Sequence, residues 1–179
     1  MKRALALAVA LVVAASGGCG DDGDGTALRE LGGYSEVGAV VRKADKPFTY
    51  GAVAVSNTGS EPVVLRSVEL VGARGGMRLL GSYVNTNLKS VGVWPTFPGP
   101  GPVITSLDVI TVPRKPPGVE LILKLARHGP PARVKRHAKG ASFKGLSITY
   151  DQGGETKTQT FDRKLIVWTK PQWGANVNK

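Results

Sequence analysis

The chain opens on an apolar run and then changes period. Ala4 to Ala15 is twelve residues of Ala, Leu and Val alone, behind Lys2 and Arg3 and ahead of the small residues Ser16, Gly17 and Gly18. An acidic, glycine-rich stretch follows. From residue 34 to 170 the hydrophobic positions fall into short β-rich runs punctuated by Gly, Pro, Asn and Ser. No long segment keeps the 3.6-residue spacing of an amphipathic helix.

The runs predict strands at EVGAVVR (36–42), FTYGAVAVSN (48–57), PVVLRSVELVG (62–72), MRLLGSYVN (77–85) and VGVW (91–94). Further strands are predicted at VITSLDVITV (103–112), VELILKLAR (119–127), ASFKGLSITYD (141–151) and TKTQTFDRKLIVWT (156–169). In residues 62–72 both alternating sets mix apolar and polar positions, so the inward face is left open. Residues 119–127 alternate Val119, Leu121, Leu123 and Leu125 with Glu120, Lys124 and Ala126, broken once by Ile122. A short helix is the alternative there, because Glu120 and Lys124 also stand four apart. Flanking prolines and a length of nine favour a strand. Residues 95–102, PTFPGPGP, forbid helix and central strand alike. Gly153-Gly154 between two β-rich runs predicts a hairpin.

About eight or nine strands with turns every ten residues or so point to an all-β fold: a single antiparallel β-sandwich. A jelly-roll or small β-barrel is the alternative. The stretch YGAVAVSNTGSEPVVLRSVEL, with Asn57-Thr58-Gly59 between two strands, resembles exported immunoglobulin-like modules. That resemblance implies a sandwich fold and no particular activity.

The N-terminus changes the picture of where this domain works. A positive start, a short apolar run and small residues form a secretory signal peptide. Twelve apolar residues fall short of the ~20 a membrane-spanning helix needs. Cys19, the single cysteine of the chain, comes directly after Gly18. Small residues directly before a cysteine resemble the lipobox of bacterial lipoproteins, although Ser16 stands where that family usually has an aliphatic residue. The resemblance implies cleavage between Gly18 and Cys19, a diacylglyceryl group on the Cys19 thiol, and a mature protein held on the extracytoplasmic face of the cell membrane. Cleavage after Ser16, giving a secreted protein with a free thiol, is the alternative. The expected organisation is a signal peptide over 1–18, a lipidated flexible tether over 19–33, a sandwich over 34–170 and a tail over 171–179.

Charge adds a candidate surface. The whole chain is formally +11, and without Lys2 and Arg3 it carries 22 basic and 13 acidic side chains. The excess is local: Arg127, Arg133, Lys135, Arg136, Lys139 and Lys144 fall in a stretch with both histidines and no acid. These six are the expected contacts with an anionic surface, phospholipid headgroups or a wall polymer, at ~1 kcal/mol per cation near an anionic bilayer. Nucleic acid is not an expected partner for an exported domain, and a plain solvated loop is the competing account.

Motif chemistry is sparse. The chain has no HExxH, no Gly-x-Ser-x-Gly, no P-loop and no dinucleotide glycine pattern, so no cofactor is implied. His128 and His137 lie among cations, which disfavours a metal. Asp21, Asp22 and Asp24 read as a solvated tether rather than a calcium loop. A sugar platform on Trp94, Trp168 and Trp173 competes with core or rim packing. The reading is a non-enzymatic binding or scaffold module; a hydrolase of glycans or esters with unidentified carboxylates is the alternative, and a solute-binding or metal-handling accessory protein a third.

Overall fold

The computed structural model describes residues 26–31, 35–41, 46–86, 92–99, 104–128 and 140–168. Strands dominate: β1 (Leu28–Glu30), β2 (Glu36–Val40), β3 (Phe48–Asn57), β4 (Val63–Val71), β5 (Met77–Asn85), β6 (Val93–Trp94) and β7 (Ile104–Ser106). After a 3-10 turn, Leu107–Val109, come β8 (Thr111–Val112), β9 (Val119–Arg127), β10 (Ala141–Phe143), β11 (Gly145–Gln152), β12 (Glu155–Phe161) and β13 (Lys164–Trp168).

They form three sheets packed on one core. The first runs β1-β3-β9-β5-β7, with β6 also on the β3 edge. The second runs β12-β11-β4-β8, and the third is β10-β13-β2. Every pairing is antiparallel except β2 with β13, which is parallel. No sheet closes on itself, so the architecture is an open all-β sandwich and the barrel alternative is set aside. Core side chains come from all three: Phe48, Tyr50, Leu121, Leu123 and Leu125 from the first, Leu65, Ile148 and Tyr150 from the second, Phe143, Leu165 and Val167 from the third.

Residues 119–127 are a strand, not a helix. β9 is central, flanked by β3 and β5, and its side chains are buried on both faces apart from a half-buried Lys124. A strand covered on both sides has no polar face, which explains why Ile122 interrupts the alternation.

The mixed pattern of residues 62–72 has a local cause. Tyr150 pairs with Leu65 and Thr149 with Ser67, leaving Arg66 without an opposite residue. This β-bulge flips the parity. Val63 and Leu65 point inward before it; Val68 is buried and Leu70 half-buried after it. Comparable irregularities at Ala52 in β3 and Leu80 in β5 leave Leu80 exposed.

Three predicted strands are each two. Residues 103–112 split into β7 on the first sheet and β8 on the second, joined by the 3-10 turn. Residues 141–151 split at Lys144, and residues 156–169 split at Asp162-Arg163, so that each half serves a different sheet. The N-terminal boundary also differs from the sequence reading. Residues 28–30, assigned above to the tether, form a strand registered against Asn57, Ser56 and Val55. Below residue 26 the tether lies outside the described residues.

Two turns need glycine. Gly76 has φ +76°, and a Cβ there would meet the His128 carbonyl, which accepts no such approach. Gly118 has φ +67° and would press its Cβ on the Val55 carbonyl. Each lets a connection pass flush against a strand end.

Candidate functional site

The strand directions give the sandwich two poles. The N-terminal pole carries the entry at Thr26, the β3–β4 turn, the β8–β9 turn and the β11–β12 hairpin. The far pole carries the β4–β5 turn, the end of β9 and the start of β10. Leu28 is level with Asn57, while Phe48 is level with Leu125. About eleven strand steps at ~3.3 Å therefore separate Ala27 from Arg127, roughly 35 Å along the sheet.

At the N-terminal pole residues 26–31 are strapped across two sheets. The Thr58 N–H donates to the Ala27 carbonyl at 2.7 Å on one side. On the other, the Ala27 N–H donates to the Tyr150 hydroxyl at 3.3 Å and Gln159 Nε2 donates to the Leu28 carbonyl at 2.9 Å. Glu30 pairs with Arg163, whose side chain is 1% exposed. Burial pulls the Arg163 guanidinium below its ordinary value, and the carboxylate beside it compensates the buried charge.

Cys19, the lipidation candidate, lies outside the described residues, seven positions before Thr26. Of the six basic candidates, Arg133, Lys135, Arg136 and Lys139 also lie outside them. The remaining two part company. Arg127 is 8% exposed: it stands on the core-facing side of β9, opposite buried Met77. It is therefore set apart from the exposed candidates, because its side chain is buried at the end of β9. Lys144 is exposed, at the corner between β10 and β11, with its chain against Gly72.

Other exposed cations lie at the same end of the sandwich as Lys144, and Arg74 is its neighbour across a bridge. Arg74 exchanges backbone hydrogen bonds with Ser142, and Lys144 donates to the Val71 carbonyl. Arg78, one strand residue on from Met77, pairs with Ala126. Lys46 precedes β3 at the same pole. All four are exposed. Sequence reasoning missed Arg74, Arg78 and Lys46 because they are 66 to 98 positions from Lys144, and only sheet pairing unites them.

A scan against protein-family models and a search of curated proteins found no match.

The other sequence candidates resolve individually. Glu120 is buried and accepts a 3.0 Å hydrogen bond from Asn85 Nδ2, whereas the alternation suggested an exposed acid. Asp151 is half-buried near the end of β11. The Thr156 hydroxyl and the Arg66 guanidinium hold its carboxyl below the usual range. Among the described residues no three of His, Cys, Asp and Glu gather as metal ligands. Trp94 is partly exposed, with Gly99 of the proline-rich segment stacked on its ring. Trp168 is half-buried in β13, and Trp173 lies outside the described residues.

The described part of that segment, residues 95–99, packs on the first sheet through Thr96 and Phe97. Thr49 donates to the Thr96 carbonyl at 2.7 Å, Phe97 sits 5.2 Å from Tyr83, and Lys124 Nζ lies 5.0 Å from the Phe97 centroid. Its one aromatic ring, Phe97, is thus spent on packing. A cleft of about 490 Å³ opens at the N-terminal pole, lined by Thr26, Thr58, Ser60, Glu61, Gln152 and Lys157 among others. Its wall is polar and wide to solvent. Its chemistry suits hydration more than the capture of an apolar ligand.

Proposed function

We propose that this chain is an exported lipoprotein of the cell envelope, anchored through Cys19. Its sandwich, of the immunoglobulin-like kind that residues 50–70 resemble, serves as a non-enzymatic binding or scaffold module. One observation carries the reading: the only cysteine of the chain follows an apolar run and three small residues, and is followed at once by the acidic, glycine-rich stretch GDDGDG. A thiol between small residues and such a polar stretch has no apolar sequence neighbours on its C-terminal side to pack with, and acylation gives it a role. A diacylglyceryl group supplies two chains, and two give stable attachment where one is marginal. The seven steps from Cys19 to Thr26 span at most ~25 Å at ~3.5 Å each, so the N-terminal pole stays near the bilayer.

The test is the mature N-terminus. Mass spectrometry of the membrane-extracted protein is expected to find Cys19 first and carrying an acyl mass. Cys19→Ser is expected to move the protein from the membrane fraction to the soluble one. A mature chain beginning at Gly17 with an unmodified thiol overturns the anchor and leaves a secreted protein.

A further inference from the structure

We infer that the outer edge of β12 is a self-association surface. Two copies of this chain pair β12 to β12, antiparallel, about a two-fold axis at Thr158, and their second sheets join into one. The inference does not rest on the lipid anchor.

The first support is the edge itself. β12 ends the sheet β12-β11-β4-β8, and among the described residues β11 is its one strand partner. It is seven residues long, whereas the other strands at sheet edges run from two to five. Folded proteins guard such edges by shortening them, bulging them or placing proline in them. β12 has none of these three devices. Its pairs with β11 run without a register shift, while the pairings of β3, β4 and β5 are each interrupted. No proline or glycine falls within it. Its one cation, Lys157, is half-buried on the inward row, with Nζ 3.3 Å from Gln152 Oε1 and 3.6 Å from the Glu155 carboxylate.

The second support is the phase of the hydrogen bonds. Gly153 and Gly154, both at positive φ, close a two-residue turn, so Gln152 and Glu155 form a hydrogen-bonded pair. Alternation then makes Asp151–Thr156, Thr149–Thr158 and Ser147–Thr160 the non-hydrogen-bonded pairs. Side chains stand closer in such pairs. The Thr149 and Thr158 hydroxyls are indeed 3.2 Å apart, and the Thr156 hydroxyl donates to Asp151 at 2.7 Å. The backbone N–H and C=O of Thr156, Thr158 and Thr160 therefore point away from β11. No other backbone group among the described residues pairs with them. All three residues are exposed. A straight row of outward donors and acceptors is a template for a further strand.

The third support is self-complementarity, which selects the occupant. With Thr158 opposite Thr158 of the second copy, Thr156 faces Thr160 and Thr160 faces Thr156. Each is a hydrogen-bonded pair, so every outward donor and acceptor of both edges is used. A register displaced to either side leaves an outward threonine unpaired in each copy. On the solvent face the threonines then meet as cross-strand Thr–Thr pairs. On the inward row Lys157 of the second copy stands opposite Gln159. That glutamine donates Nε2 to the Leu28 carbonyl, while its Oε1 is buried and accepts no bond. The second copy thus brings an ammonium donor beside the side chain whose oxygen lacks one. The backbone of any extended peptide fills the edge, but these side-chain matches belong to β12 itself.

The contact is small. A strand of this length spans roughly 23 Å, and a pairing confined to it falls in the class of weak interfaces below about 1,200 Å². A dissociation constant on the order of 10–1,000 μM is therefore expected.

The experiment uses the full chain carrying Cys19→Ser, which removes the single thiol and with it any disulfide-linked dimer. Sedimentation equilibrium from about 10 μM to 1 mM is expected to show a monomer–dimer equilibrium. Thr158→Lys and Thr158→Asp each set like charges opposite one another across the axis. Each alone is expected to weaken association about five- to tenfold, and their equimolar mixture to restore it. Thr158→Pro removes the outward N–H without breaking a bond to β11, and is expected to abolish the dimer. Thr111→Lys on β8, exposed at the other edge of the same sheet, is expected to change association less than about twofold. A parent chain that stays monomeric throughout overturns the inference. So do unchanged association in Thr158→Lys or Thr158→Pro, a mixture that fails to recover the dimer, and equal loss with Thr111→Lys.

Discussion

The Glu30–Arg163 pair offers a sharp test of the fold, because sequence alone assigns residue 30 to a flexible tether. In the structure Glu30 ends β1 and neutralises a guanidinium that is 1% exposed. Replacing Glu30 with Gln keeps the shape and removes the charge. Breaking a fully buried pair from one side costs about 3–5 kcal/mol. The Glu30 side chain is itself 35% exposed, so water partly screens the pair and the lower end applies. A loss of about 2–3 kcal/mol is expected for Glu30→Gln, a melting shift of roughly 5–10 °C for a domain of this size. Arg163→Met removes the buried charge and replaces it with an apolar chain. With Arg163→Met already present, Glu30→Gln has little left to disturb. The double-mutant cycle is therefore expected to show a coupling of about 1–2 kcal/mol. Urea unfolding followed by tryptophan fluorescence measures it, with the midpoint moving and the slope constant. Additive single effects, coupling below about 0.5 kcal/mol, would refute the strap and return residues 28–30 to the tether.

Three further outcomes follow from the same geometry. Burial pushes the Tyr50 hydroxyl up to about 12. A raised acid contributes its stability below the unfolded value near ~10 and loses it as pH rises through the folded value. Unfolding free energy is thus expected to fall between about pH 10 and 12, and Tyr50→Phe to flatten that decline; an unchanged alkaline limb in the variant counts against the burial of Tyr50. Gly76→Ala, with φ +76° and a carbonyl in the way, is expected to cost about 2 kcal/mol or more in thermal or urea unfolding. Arg127→Ser is expected to lower the melting temperature and Lys144→Ser to leave it unchanged; matching behaviour of the two contradicts the burial difference.

Much of the fold is legible in local pattern. Period-2 alternation and turn chemistry are properties of neighbouring residues, so β3 and β5 end where the runs FTYGAVAVSN and MRLLGSYVN end. The Gly153-Gly154 hairpin follows for the same reason, with both glycines at positive φ. Leu146, Ile148 and Tyr150 share one face by simple alternation, and all three lie in the core. The break at Lys144 was not legible. The buried set changes from Ala141 and Phe143 to Leu146, Ile148 and Tyr150 across the bend, and which sheet each half joins is decided only by its pairing. Arg66 is similar: one unpaired residue shifts a register, and register is a relation between two strands rather than a property of either.

The candidate surface divides along the same line. Composition placed a basic excess around residues 127–144, and a charge count needs no fold. Whether a given cation meets solvent depends on which side of its strand faces the core, and that removed Arg127 while keeping Lys144. Only backbone pairing could bring Arg74 close to Lys144, since it joins segments far apart in sequence. The apolar run, the lone Cys19 and the acidic stretch behind it are consecutive residues, so the sequence by itself determined the lipid-anchor expectation. That the chain enters the sandwich at one pole while Arg74 and Lys144 lie at the other was decided by tertiary structure alone, because direction along a sheet exists only once the strands have paired.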